Sequence, residues 1–364
     1  MGLNNPYSKL PAHAFWRSGV ADVSLFNYSD IWKSKWILNK EAHFSTYGSC
    51  FAQHISRALM AQKYNWLNTE PAPGKTSEAL AKQFNYNIFS SRTGNIYTAK
   101  QLAQWITLAK QLNKCDEIEI WEKDGRFQDS LRPTVEPNGF TSVNETRACL
   151  RATAKAFRNS ITDADVFVFT MGLTEGWENK TTGQPYPLCP GTIAGDFDED
   201  AHLFVNYTYP EIHKSLCASF KEMWKMNKNL KILLTVSPVP LTATASGDHV
   251  LSATSYSKAT LRAVAGDLRA EHDAVDYFPS YEIIASPSSR ATFFAPNLRS
   301  VEQDGVNLVM GHFFAGLDMS LETHDADKSS KPLSLAKKRA DIEKDMAEEN
   351  LVCEEMALET FNEA

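Results

Sequence analysis

Three segments of the chain read as strands of a buried sheet. Residues 43–47 run into Gly48, residues 165–171 into Gly172, and residues 230–236 into Ser237-Pro238. The latter two are short, β-branched or aromatic, and nearly continuous in apolarity, as strands covered on both faces are. Between them lie helical patterns. In residues 51–62, Phe51, Ile55, Ala58 and Leu59 share one face of a 3.6-residue period. Residues 146–160, 210–227 and 257–272 read the same way. Strands alternating with helices predict an α/β layered fold around a mainly parallel sheet. Asp124-Gly125, inside residues 117–128, predicts a hairpin insertion.

The ends of the chain differ from this middle. Residues 1–35 are irregular but carry Phe15, Trp16, Phe26, Tyr28 and Trp32. So many rings predict an arm that packs back on a main domain spanning 36–320. Residues 324–364 hold eleven acids and six bases, a net −5 that makes up most of the chain's −7. Residues 321–364 are therefore read as a charged tail, partly helical or disordered, with a thin apolar stripe at Ile342, Met346 and Val352. A solvated tail is the plain expectation. The sharper one is a helix that mediates an oligomer or partner contact.

Composition narrows the class. The chain has 364 residues, 43% hydrophobic and 22% charged, enough for a sizeable core and unlike a disordered chain or a rod. A net charge of −7 argues against nucleic acid as a partner. No stretch is long and apolar enough to suggest a membrane span, and the first residues lack a basic region followed by an apolar core. The six cysteines form no CxxC pair and no zinc-ribbon spacing, so no metal site is expected. Free thiols in a reducing cytoplasm are the expectation.

In an open α/β sheet, ligands bind beyond the carboxyl ends of the strands. The first such end is Gly48-Ser49-Cys50-Phe51-Ala52. Gly48 permits a tight turn, and Cys50 falls at the start of the following helix. Unpaired backbone N–H groups there favour a thiolate and could hold an oxyanion. The plain alternative is a small buried cysteine that packs the strand–helix corner.

That pentapeptide resembles the signature of the GSCFA-domain family, and the resemblance continues along the chain. Asp129-Ser130-Leu131-Arg132-Pro133, Thr170-Met171-Gly172-Leu173-Thr174-Glu175-Gly176-Trp177, Cys189-Pro190-Gly191-Thr192 and Tyr256-Ser257-Lys258 all look like that family. The likeness covers roughly residues 5–317. The family is similar in layout to the SGNH (GDSL-type) esterases and acyltransferases. The resemblance thus implies a flavodoxin-like, three-layer fold, with Cys50 at the nucleophile position and Ser49 beside it. Thr174 falls where an oxyanion-binding Asn would be, followed by Glu175. Asn87 or Asn85 would supply an oxyanion or substrate contact. The departure lies at the last block, where SGNH enzymes carry Asp-x-x-His. Here Asn297-Leu298-Arg299-Ser300 stands, or Asp304-Gly305-Val306-Asn307 in a second register, and neither has the His.

Among the nine histidines, His249 lies beyond the third strand end, and His54 follows Cys50 by four residues on one helix face. These two are the candidate acid–base partners of Cys50. His312 is expected to pack. Asp129 and Arg132 read as a structural ion pair or an anion site, and Lys258 as a solvated helix residue or a phosphate contact. The reading is an acyltransferase or ester hydrolase with a cysteine nucleophile, acting on a hydroxylated substrate of carbohydrate type. No cofactor would be bound, and an acyl-CoA would serve as co-substrate. The alternative is a catalytically degenerate SGNH-like module that binds a glycan or protein partner.

Overall fold

The computed structural model describes residues 5–318 and 354–362. Its centre is a parallel sheet of β1 (Phe44–Gly48), β4 (Val166–Met171), β8 (Lys231–Val236) and β9 (Val275–Phe278), in the order β1-β4-β8-β9. Every residue of β1, β4 and β9 is buried, as is all of β8 beyond Lys231. This explains why the strands are apolar without alternation: helices cover both faces. On the outer edge of β1 the chain returns beside Phe44. Phe44 N–H donates to Asn65 O (2.9 Å), Leu67 N–H donates to Phe44 O (2.8 Å), and Trp66 bridges Phe44 in parallel. The chain therefore leaves β1 in one direction, pairs briefly, and crosses back to β4 on the other side. That reversal puts the topological switch point between β1 and β4.

The helices fall into two groups. In one, α3 (Ala99–Lys110), α4 (Val143–Thr162), α5 (Tyr209–Met226) and α6 (Val250–Glu271) contact one another in series; in the other, α8 (Gln303–Asp318) touches both α1 (Ala52–Ala61) and α7 (Ser280–Ala285). With the sheet between them, the architecture is the three-layer, flavodoxin-like α/β fold predicted. The hairpin is also present, as β2 (Ile120–Lys123) and β3 (Arg126–Asp129). Asp124 (φ 53°) and Gly125 (φ 71°) are both left-handed, as a two-residue turn of this hand requires. The short helix α2 (Glu78–Gln83) is capped by the Ser77 side chain, which accepts from Leu80 N–H.

Two features depart from the sequence pattern. After β4 the chain does not enter a helix but builds an antiparallel sheet of β5 (Glu175–Asn179), β6 (Pro185–Tyr186) and β7 (His202–Asn206). Trp177 drives this, meeting Phe204 and Phe197 edge-on. The strand β9 was hidden by Asp276 at its centre. That carboxylate is fully buried, yet it accepts from Arg269 Nε (2.8 Å), Trp32 Nε1 (3.2 Å) and the Lys35 N–H (3.0 Å). The same Trp32 stacks on Phe313 and docks the N-terminal arm, and a Cβ on Gly316 would come within 2.3 Å of its ring. Earlier in the arm, Tyr7 and Trp16 are exposed.

Candidate active site

The site begins with a turn that only glycine permits. Gly48 has φ +138°, and a Cβ there would lie 2.2 Å from the Thr170 carbonyl oxygen. Ser49 N–H donates to that same oxygen (3.0 Å), fastening the end of β1 to the end of β4. The chain then coils: Ala52 N–H reaches Ser49 O (2.8 Å) and Gln53 N–H reaches Cys50 O (3.3 Å). Cys50 thus stands at the switch point, two residues before α1. A second close approach comes from Gly172, whose missing Cβ would meet Ser49 Cβ at 3.1 Å. Cys50 is 2% exposed, as the alternative of a small buried cysteine at the strand–helix corner implies.

Two cations and a distant segment of the chain surround this turn. Lys258 of α6 is 1% exposed, and its Nζ donates to Gly172 O (2.7 Å). Burial lowers its pKa, while the negative charges of Glu355 and Cys50 oppose that shift. Arg299 arrives from the loop before α8. Asn297 Oδ1 shapes that loop by accepting from the Arg299 and Ser300 N–H groups (both 3.0 Å), and Leu298 takes a left-handed φ of 53°. Arg299 Nη2 donates to Glu355 Oε2 (3.3 Å). Glu355 belongs to a 3₁₀ turn, Glu354–Phe361, near the end of the chain. The neighbouring Glu354 accepts from Thr134 Oγ1 (2.8 Å) and Asn95 Nδ2 (3.4 Å).

A family model, described as the GSCFA family, matches residues 43–313, from the entry to β1 into α8. The chain belongs to the GSCFA family. No curated protein and no solved structure matches it. The match ends well before Glu354, so the segment that reaches the site lies outside the GSCFA-matched span.

Within the GSCFA domain, the residues singled out from sequence are distributed unevenly. Ser49 is buried beside Cys50, and its Oγ has no hydrogen-bond partner among the described residues. Glu175 opens β5 rather than a helix. Its carboxylate accepts from Thr244 Oγ1 (2.7 Å), and its pKa is raised by burial, with a further push from the nearby Glu355. Thr174 is buried, but its hydroxyl donates to Asn206 Oδ1 (2.7 Å) and its N–H to Ser257 Oγ (3.0 Å). Asn85 donates to Thr134 O (3.3 Å), at the rim that holds Glu354. Asn87 accepts from Asn68 Nδ2 (2.7 Å), along a groove lined by Gln53, Arg57, Trp66 and Lys82. His54 is partly buried with its ring 5.2 Å from that of Phe51. His249 is exposed and caps α6, Nδ1 accepting from Leu251 N–H (3.1 Å).

Lys258 is buried, which removes the solvated one of its two expected roles. Asp129 and Arg132 form a structural pair, both fully buried at 2.8 Å, with Arg132 Nη1 also donating to Arg92 O (2.9 Å) and Thr153 Oγ1 (2.6 Å). They sit beneath the site: a Cβ on Gly94 would meet both Arg132 Cβ and Glu354 Oε1 at 3.3 Å. Sequence reading missed Asn95, Thr134, Arg299 and the Glu354–Glu355 pair as site residues. For Arg299 a signal existed, its place in the Asn297-Leu298-Arg299-Ser300 segment singled out from sequence. Most of the tail, including Ile342, Met346 and Val352, lies outside the described residues.

Elsewhere, His213, Cys217 and Glu271 form a group of metal-ligand types. The His213 ring meets Glu271 with Nε2 (3.1 Å) and Cys217 with Nδ1 (3.7 Å), so its two nitrogens are directed to different partners. No described helix is long and apolar enough to cross a membrane.

The seating of Glu354 predicts a pH dependence. Burial pushes its carboxyl up from an ordinary 4.5 to about 7, with Thr134 and Asn95 opposing and the like charge of Glu355 reinforcing. A raised carboxyl binds its proton better when docked than when free. Its favourable contribution is thus full below pH ~4.5 and lost as pH rises through ~7. Amide-hydrogen protection of residues 354–361 should fall between pH 5 and pH 7.5, and Glu354→Gln should flatten that dependence. Protection that rises with pH would contradict this.

Proposed function

We propose that the Cys50 site carries out acyl transfer, with Cys50 as nucleophile and Lys258 as its proton partner. The observation that carries this reading is the buried Lys258, whose Nζ donates to the carbonyl of Gly172 (2.7 Å), a glycine packed against Ser49, next to the cysteine at the sheet's switch point. An adjacent positive charge favours a thiolate, and a desolvated lysine gives up its proton more readily than a solvated one. In this reading Lys258, buried with its Nζ on Gly172 O, takes the role expected of His249 or His54. Lysine stands in for histidine in known variants of nucleophile activation.

The reaction divides into two steps. The Cys50 thiolate attacks the carbonyl carbon of a thioester or ester, forming an S–C bond. The tetrahedral intermediate breaks the old bond, and the leaving thiolate or alkoxide takes a proton from the Lys258 ammonium. An acceptor hydroxyl then gives its proton to the Lys258 amine and attacks the acyl-cysteine, releasing the Cys50 thiolate. Backbone N–H groups of the turn into α1 support the oxyanion, since the Thr174 hydroxyl is directed to Asn206. A thioester donor of acyl-CoA type suits the thiol, because exchange between thioesters is nearly neutral in energy. The acceptor is a hydroxylated molecule of carbohydrate type, and water in its place gives ester hydrolysis. The similarity in layout to SGNH acyltransferases supports the same reading.

Incubating the full chain with a short-chain acyl thioester, followed by acid quench and peptide mass spectrometry, should place one acyl group on Cys50. Acylation spread evenly over the other thiols, or absent from Cys50, would reject the proposal. A binding module remains the second reading, favoured by the near-complete burial of Cys50 and the missing His of the last block.

A further inference from the structure

An acidic tail should be solvated, yet Glu354 and Glu355 are 5% and 6% exposed. Burying two adjacent carboxylates is costly unless each finds a partner. Here each does. Glu355 meets Arg299 Nη2 and the field of Lys258, and Glu354 meets the Thr134 hydroxyl and the Asn95 amide. The next residue, Met356, is held too, its Sδ 3.0 Å from Arg299 Nη1. These partners come from the loops before α3 and α8, the loop after β3, and α6 itself. They converge at the strand ends next to the Cys50 turn: Lys258 holds Gly172 O, Gly172 packs against Ser49, and Ile96, which follows Asn95, donates its N–H to Gly48 O (2.8 Å). The partners belong to the family-matched span and the carboxylates do not.

We propose that Lys258, Arg299, Thr134 and Asn95 form a carboxylate-binding subsite of the Cys50 site, and that Glu354–Glu355 fill it in place of an acidic group on the substrate. The tail is then a competitive plug, and the substrate is a carboxylate-bearing molecule that displaces it. Calling the displacing molecule a substrate rests on the acyl-transfer reading. The subsite and the plug do not.

The test uses Cys50 alkylation in the full chain, read by peptide mass spectrometry, with iodoacetate and iodoacetamide as a charged and a neutral probe. In either case the sulfur bonds to the CH₂ carbon, iodide leaves with the C–I electron pair, and the thiol proton goes to buffer. Cys189, a free and half-buried thiol, is the internal reference. In the native chain Cys50 should react slowly with both probes. The E354A/E355A double variant, which removes both carboxyl groups, should speed both by about tenfold or more, as loss of a coupling of ordinary size would. In that variant the iodoacetate-to-iodoacetamide ratio at Cys50 should exceed the ratio at Cys189 by about tenfold, the scale of one charge-assisted hydrogen bond. Adding Arg299→Met should collapse that excess. A synthetic peptide of residues 350–364, added in trans, should slow the reaction again, which separates plug release from misfolding. A Cys50 rate unchanged in the double variant, or a ratio no higher than at Cys189, would overturn the proposal. Absence of an acyl adduct alongside these results would reject acyl transfer and leave the subsite standing.

Discussion

Cys50→Ala should abolish acyl transfer from short-chain thioesters and aryl esters, lowering kcat by roughly a thousandfold or more, the order seen when a covalent nucleophile is removed. The fold should survive the change. Cys50 packs beside Phe51 and the strand ends, and a thiol-to-methyl truncation there leaves only a small void. A lost rate with an unchanged melting curve is therefore the expected pair of results. Lys258→Met offers the graded counterpart. It keeps the length of the side chain in a buried site and removes the charge, so Cys50 loses its proton partner. General acid–base partners contribute about 10²–10⁴ in rate, and a loss in that range is expected, with Cys50 still acylated slowly. An undiminished rate in Cys50→Ala would end the claim for this sulfur.

The second large effect concerns stability. Asp129→Ala should cost about 3–5 kcal/mol, because it leaves the Arg132 guanidinium buried without its counter-charge. The ion pair is fully enclosed, and Asp129 also accepts from Leu131 N–H (2.9 Å), so the substitution unpins a turn as well as a charge. The remaining acceptors of Arg132, Arg92 O and Thr153 Oγ1, hold the guanidinium in place but do not neutralise it. Chemical denaturation gives the comparison directly. A cost below about 1 kcal/mol, the range of exposed pairs, would show that the buried pair matters less than its geometry implies. Because Gly94 lies against both Arg132 and Glu354, the same substitution should loosen the seat of the tail.

Much of this architecture was readable from the chain. Gly48 before Cys50 announced a tight turn, and its positive φ and close approach to Thr170 O explain why no other residue serves. The near-continuous apolarity of residues 165–171 and 230–236 marked central strands, and Asp124-Gly125 marked the hairpin. What escaped was information that only tertiary contact supplies. Asp276 broke the pattern of β9 because its partners, Arg269 and Trp32, lie on other elements. Trp177 sits in a sheet because Phe204 and Phe197 are brought to it. Lys258 looked like a solvated helix residue, since nothing near it in sequence shows Gly172 or Cys50. Glu354 and Glu355 were indistinguishable from nine other acids of the tail. Their burial follows from Arg299, Thr134 and Asn95, each more than fifty residues away in the chain. Local pattern singled out Cys50, but the charged groups gathered beside its turn come from remote segments.

Rapid-quench kinetics with a thioester whose thiol product is chromogenic tests the nucleophile most directly, in the chain freed of its plug by E354A/E355A. The first turnover should release one thiol per chain without any acceptor, and an acyl-Cys50 of equal amount should appear and then decay when a hydroxylated acceptor is added. Thiol release that requires the acceptor from the outset, or a burst of the same size when Cys50 is alanine, would contradict a covalent route through this residue.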